Sequence, residues 1–299
     1  MKKIIGLIFS AVLIISLTAC SGNEVKNTIN EKNKQTIEDT GDQERQVDIP
    51  IEIENLPEEF LAGNFEGVYK QTSEGFKEMV SIKQFTSLGE SFNHDVKSYI
   101  LLSQMPFQGL IEYLWISDNN DKGIRALVNS DQIIEGLLLQ PLSKFPDQDE
   151  RFTENTYQLP FSDEWFVLWG GTNELVNYHY AYENQRYAYD FLIMKDDKSF
   201  EGDASVNENY FAFGKEVLAP LDVTVVSVEN NREDNTPGVT TNTEQLLGNH
   251  VIIQHKNNEY SVIAHLQKGS VTVNVGDTVN TGDVLGLVGN SGNSSEPHI

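Results

Sequence analysis

The sequence predicts an α+β domain of helices followed by an antiparallel sheet, and after it an all-β antiparallel domain. Three observations carry this. Apolar residues recur near helical spacing from Pro57 to Phe92. Between residues 98 and 139, short runs rich in Ile, Leu, Tyr and Trp alternate with turn-forming clusters. From residue 161 onward, strand-like runs are punctuated by glycine and no long helical period appears.

Composition narrows the function classes first. The 299 residues hold 45 Asp+Glu against 21 Lys+Arg, a net charge of −24. Nucleic-acid binders carry a basic footprint, so this charge argues against a phosphate-backbone partner. It argues against adhesion to anionic lipid through a basic face for the same reason. Hydrophobic residues make up 39%, enough for real cores. A single cysteine rules out an internal disulfide and a Cys-rich zinc cluster.

The elements follow in chain order. Lys2 and Lys3 precede an apolar run over 4–17, which is shorter than the roughly 20 residues a membrane span wants. The run ends in Leu17-Thr18-Ala19-Cys20, which resembles a bacterial lipoprotein signal. The resemblance implies removal of residues 1–19, a diacylglycerol on Cys20, and a mature protein that is extracytoplasmic and lipid-anchored to the cell membrane. Two acyl chains anchor stably where one is marginal. Residues 20–46 are polar and nearly free of large apolar side chains, the composition of a solvated tether.

Residues 47–145 form the predicted α+β domain. One helix opens at Pro57, with Phe60, Leu61, Phe65, Val68 and Tyr69 on its apolar stripe and Gly63 weakening it. A second runs from Phe76 to Phe92. Strands are expected over 98–105, 109–116, 123–128 and 133–139. This layout resembles a nuclear-transport-factor-2-like cone fold; it shows no catalytic constellation, which leaves substrate binding or positioning as roles open to it. Residues 146–160, with Pro146 and Pro160, read as a linker. In 161–299, strands are expected over 164–169, 175–181, 186–194, 216–228, 250–254, 259–266 and 283–288.

Three pieces of this second half bring chemistry together. If 175–181 and 188–194 form a hairpin turning near Asn184-Gln185, His179 faces Asp190 with Cβ atoms about 4.5–5.5 Å apart. Such a pair could share a metal ion or form a salt bridge. Gly214-Lys215-Glu216-Val217-Leu218-Ala219-Pro220 follows. Then come Gly248-Asn249-His250, Ala264-His265-Leu266, Val275-Gly276-Asp277-Thr278-Val279, Gly289-Asn290-Ser291-Gly292 and Pro297-His298-Ile299. His250 and His255 have no ligand spacing and read as structural or exposed, and Trp165 and Trp169 as core or hydrophobic lining.

This order resembles the lysostaphin/LytM-type zinc endopeptidases that cut peptidoglycan peptides, over residues 170–299. The resemblance implies a compact antiparallel β domain with a groove and a bound Zn2+. By position it makes His179 and Asp190 metal ligands and His265 and His298 catalytic. It puts a third ligand, a histidine, directly after Ile299. In the best-known members the first histidine lies four positions before the aspartate; Arg186 stands there, and the candidate is His179, eleven back. Zinc with two neutral histidines and one carboxylate keeps a position for water and lowers its pKa toward about 7. His265 and His298 titrate in the useful range for proton transfer.

The expected function is therefore a membrane-tethered zinc endopeptidase acting on wall peptide. The alternative is a non-catalytic module of the same fold that binds the wall or regulates another hydrolase. The Val-Gly-Asp-x-Val stretch also resembles biotinyl and lipoyl carriers, but no Lys follows Lys268 to serve as the carrier residue.

Overall fold

A computed structural model describes residues 50–107 and 109–299. The leader, Cys20 and the tether lie outside the described residues. Among the described residues no helix is long and apolar enough to cross a membrane.

Where two helices were expected, four short ones form, because the sequence carries more caps than its apolar period suggests. A 3-10 turn, Ile53–Asn55, leads into α1, Leu56–Leu61, with Pro57 in the first turn. Gly63 takes φ +80°, which ends α1. The Asn64 side chain then accepts from Gly67 N and starts α2, Phe65–Lys70. Ser73 caps α3, Glu74–Met79. Ser81 and Gln84 form a reciprocal capping box on α4, Ile82–Phe92.

The sheet that follows runs β1 Tyr99–Phe107, β2 Leu110–Ser117, β3 Lys122–Val128 and β4 Ile134–Pro141, antiparallel and in that order. Helices then antiparallel sheet is the predicted fold class. Strand alternation sends Tyr113 and Trp115 to the helices, where Phe60, Phe65, Phe76 and Phe85 complete the core. Leu114 and Ile116 point to the other face and are also buried, against Leu142 and Leu175. Glu112 lies on that face, paired with Arg125 of β3. Burial raises its carboxyl pKa, and Arg125 offsets part of the rise.

Residues 146–160 are held against the second half. They contain α5, Pro146–Asp149, and end where Gln158 N donates to Pro220 O and Leu218 N to Pro160 O. Glu259 accepts from Tyr157 Oη at 2.6 Å and Asn155 Nδ2 at 2.8 Å. Those hydrogen bonds, Tyr157's first, hold its carboxyl down at about 2.

The remainder is the predicted antiparallel β region. β5, Phe166–Trp169, pairs with β6, Asp190–Leu192. β7, Glu216–Leu218, pairs with β12, Val284–Leu287. β8 Val223–Glu229, β9 Asn249–Gln254, β10 Tyr260–Leu266 and β11 Thr278–Val279 form a sheet in the order β10-β9-β8-β11. Val217, Val225, Val251, Ile253, Leu266 and Leu285 form its core. The expected strand over 216–228 is interrupted after Leu218, at Ala219-Pro220. The expected strand over 175–181 is absent. Its place is taken by a 3-10 turn, Tyr178–Ala181, because the Asn177 side chain caps it by accepting from His179 N. The hairpin expected between 175–181 and 188–194 is therefore not formed, and Asp190 pairs with Trp169 instead.

Candidate functional site

His179 and Asp190 meet even though the hairpin does not form. Asn177, 1% exposed, closes the intervening loop: its Nδ2 donates to Gly171 O at 3.2 Å and to Ala188 O at 3.1 Å. The loop thus returns onto the start of β6, and His179 Nε2 lies 3.0 Å from Asp190 Oδ1. Both side chains are buried. Arg186, at the position four before Asp190, turns away. Its Nε donates to Tyr180 O at 3.0 Å, and its guanidinium sits 3.5 Å over the Phe145 ring.

His265 and His298 join them from distant segments. The β9–β10 register shifts between Ile263 and Leu266, and His265 itself takes φ +59°, an uncommon backbone for a non-glycine residue. This irregularity is anchored by His265 N donating to Leu247 O at 2.9 Å. The His265 and His298 rings lie 4.8 Å apart, centroid to centroid, and His298 Nε2 is 3.8 Å from Asp190 Oδ1. All four predicted site residues are thus brought together.

Proton bookkeeping follows from the partners. His179 Nδ1 donates to Gln185 Oε1 at 2.7 Å, His265 Nδ1 to Ser291 O at 2.8 Å, and His298 Nδ1 to Glu296 O at 2.7 Å. Each acceptor claims the Nδ1 proton, so each neutral ring keeps a lone pair on Nε2. For His179 that lone pair faces a carboxylate oxygen at 3.0 Å. Two acceptors at this distance need a proton or a cation between them. Burial alone would lower the His179 pKa, but its bonds to Asp190 and Gln185 and the Asp190 charge outweigh that and raise it. Burial would raise the Asp190 pKa; the His179 hydrogen bond and the charges of His298, His179 and His265 turn the shift downward. The His265 pKa falls to about 3, through burial first and the His298 charge second, which takes it below the range expected of it for proton transfer.

Imidazole nitrogen with carboxylate oxygen is a donor set that suits zinc. His179 and Asp190 fit that role as a pair. Among the described residues no group of three or more His, Cys, Asp or Glu is arranged to hold a metal ion.

The supporting residues were missed by sequence reasoning. Asn249, fully buried, accepts from Arg232 N at 2.7 Å and donates to Arg232 O and Leu266 O at 2.8 and 2.9 Å. Ser291, also fully buried, donates to Leu266 O at 2.7 Å and accepts from Asn249 N at 2.9 Å. Together they fix the loop whose carbonyl orients His265. The Gly-Asn-His and Gly-Asn-Ser-Gly motifs were legible, but nothing local says which of their polar residues turns inward. Of the remaining histidines, His255 is buried and bonds Ser261 Oγ, and His250 Nδ1 bonds Gly248 O. Neither joins the site.

Residues 209–299 match the model of peptidase family M23. The match supports a LytM-type domain over those residues. His265 and His298 fall within the matched residues; His179 and Asp190 precede them. Among solved structures, the chain is similar to a Pseudomonas aeruginosa protein assigned to peptidase M23, at 14% identity and TM-score 0.29, covering 71% of this chain and 90% of that one. It is also similar to a zinc-containing peptidase from Vibrio cholerae, at 11% identity and TM-score 0.22, covering 78% and 90%. No curated protein matches the chain. The M23 domain supports a peptidase-like function.

Proposed function

We propose that this chain is a membrane-tethered zinc endopeptidase of the bacterial cell envelope, hydrolysing peptide bonds in peptidoglycan. The observation that carries the proposal is the convergence of His179, Asp190, His265 and His298, with the Nδ1 of every imidazole held by an acceptor and the Nε2 of His179 and His298 facing Asp190. His179 and Asp190 would hold the ion. Zinc bound there would supply Lewis-acid activation of water and of the scissile carbonyl. His265 and His298, 4.8 Å apart, would orient the attacking water and relay its proton toward the leaving amine. Asp190 stays ionised and holds the charge that develops on the rings.

The backbone supports the third ligand that the resemblance implies. Phe191 N donates to Ile299 O at 2.8 Å and Ile299 N to Phe191 O at 3.1 Å, an antiparallel pair. Carried one step further, that register sets the residue after Ile299 opposite Asp190, with both side chains on one face.

The test uses the chain with a histidine added directly after Ile299. It should bind about one zinc per chain, and His179→Ala or Asp190→Ala should lose it. Muropeptides incubated with the zinc-loaded protein should show new amine termini. Intact muropeptides after incubation would overturn the proposal. The alternative is a non-catalytic module of the same fold that binds the wall; retention of uncleaved muropeptide by the zinc-free protein would establish it. The membrane tether rests on the Leu17-Thr18-Ala19-Cys20 signal. Cys20→Ser should move the protein from the membrane fraction to the soluble one.

A further inference from the structure

The outer face of the N-terminal sheet is not free. Leu175, 4% exposed, packs there on Leu114, Ile116 and Leu142. It fills a notch that only glycine leaves: a Cβ on Gly123 of β3 would stand 2.4 Å from Leu175 Cδ1. Beside it, Glu174 accepts from Gln140 Nε2 at 3.2 Å and Ser143 N at 3.0 Å. Leu175 lies four residues before His179 in the same loop. On the far side of His179, Tyr180 is 2% exposed. Its hydroxyl accepts from Phe145 N at 3.1 Å and donates to Asp149 Oδ2 at 2.8 Å. Arg186 covers Phe145 and bonds the Tyr180 carbonyl. The turn that carries His179 is thus gripped on both flanks by residues 114–149, while Asn177, the Trp169–Tyr178 ring contact and the His179–Asp190 bond tie it to its own domain.

We propose that the N-terminal domain is a positioning element of the M23 site: its sheet seats Leu175, and through that seat holds His179 against Asp190. Leu175, Gly123 and Tyr180 are positioning residues. The inference rests on the reading of His179 and Asp190 as metal ligands. The physical reason is cost. The loop has no ladder of its own, and a 3-10 turn of four residues does not hold a buried imidazole in place unaided.

The test compares the full chain with Leu175→Ala, Leu175→Met and Val251→Ala, the last in the separate core of the M23 sheets. Two quantities are read. One is amide exchange at Tyr180 and Tyr182, whose N–H groups donate to Asn177 O and His179 O. The other is Co2+ affinity with its visible spectrum. Leu175→Ala should speed exchange at both amides at least tenfold and weaken Co2+ binding at least tenfold. Leu175→Met should restore both, and Val251→Ala should leave both within twofold while lowering thermal stability. Unchanged exchange and affinity in folded Leu175→Ala would overturn the inference. So would equal losses in Val251→Ala. If the unaltered chain binds no Co2+, the metal reading fails, and the seat is judged on exchange alone: protection kept in Leu175→Ala overturns it, protection lost supports it. If Leu175→Ala does not fold, Gly123→Ala replaces it with the same expected losses.

Discussion

Asn249→Leu is the most informative single change, because Asn249 touches no reacting group yet braces the loop that orients His265. Leucine keeps the branched shape of asparagine but removes its polar atoms, so the polar loss is joined by some overpacking. Arg232 N and Arg232 O both lose their Asn249 partner. Leu266 O keeps the Ser291 hydroxyl. Two part-buried backbone groups that lose a partner, at about 1–3 kcal/mol each when fully buried, predict a loss of at most about 2–6 kcal/mol. Urea unfolding at pH 7 measures it, with the slope unchanged if the native state keeps its compactness. Asn249→Asp sharpens the test. It aims a carboxylate oxygen at Arg232 O or Leu266 O, so the ionised form is penalised and the folded-state pKa rises above the usual value of about 4. A raised carboxyl pKa gives stability that is present at low pH and lost as pH rises. Asn249→Asp should therefore approach Asn249→Leu near pH 4 and be clearly less stable at pH 7. A loss below about 1 kcal/mol for Asn249→Leu, within the range of an ordinary surface change, would refute the bracing argument.

Other predictions follow from the same contacts. The His265 pKa is lowered from its usual 6.5 to about 3, so the folded state takes up fewer protons than the unfolded chain in that window. Stability should be full above about 6.5 and fall progressively toward about 3, and His265→Gln should flatten that slope in metal-free acid titrations. Gly248 has φ +58°, and a Cβ there would lie 2.4 Å from the Ser291 carbonyl carbon. Gly248→Ala should cost at least about 1–2 kcal/mol from the left-handed backbone alone, seen as a lower Tm; an unchanged Tm would mean the loop relaxes freely. Glu259→Ala removes the acceptor for Tyr157 and Asn155. Trypsin should then cut faster after Arg151, and equal rates would show that this segment is held by other contacts.

Much of the fold was legible because its cues are local. The N-terminal strands appear within two residues of their expected ends, since alternation and the turn cluster at 117–122 are read from neighbours. The helices were misjudged in number because Asn64, Ser73 and Ser81 act through cap bonds that an apolar period does not register. At the site, all four expected residues converge, yet the hairpin expected to join His179 to Asp190 is replaced by a capped turn. Asn177 changes the local structure there with one side chain, and the pairing of β6 with β5 removes the partner strand.

The sequence by itself determined the order of chemistry-bearing residues, the sheet faces and the glycine turns, because these depend on neighbours a few positions apart. Tertiary structure decided the rest. His179 meets Asp190 across 11 residues, and Ser291 sets the His265 tautomer from 26 residues away. Leu175 finds its seat on a strand some fifty residues earlier, at the one position where glycine leaves room. These contacts carry no local period, so they exist only once the packed chain has chosen which polar groups to bury and must then supply each with a partner.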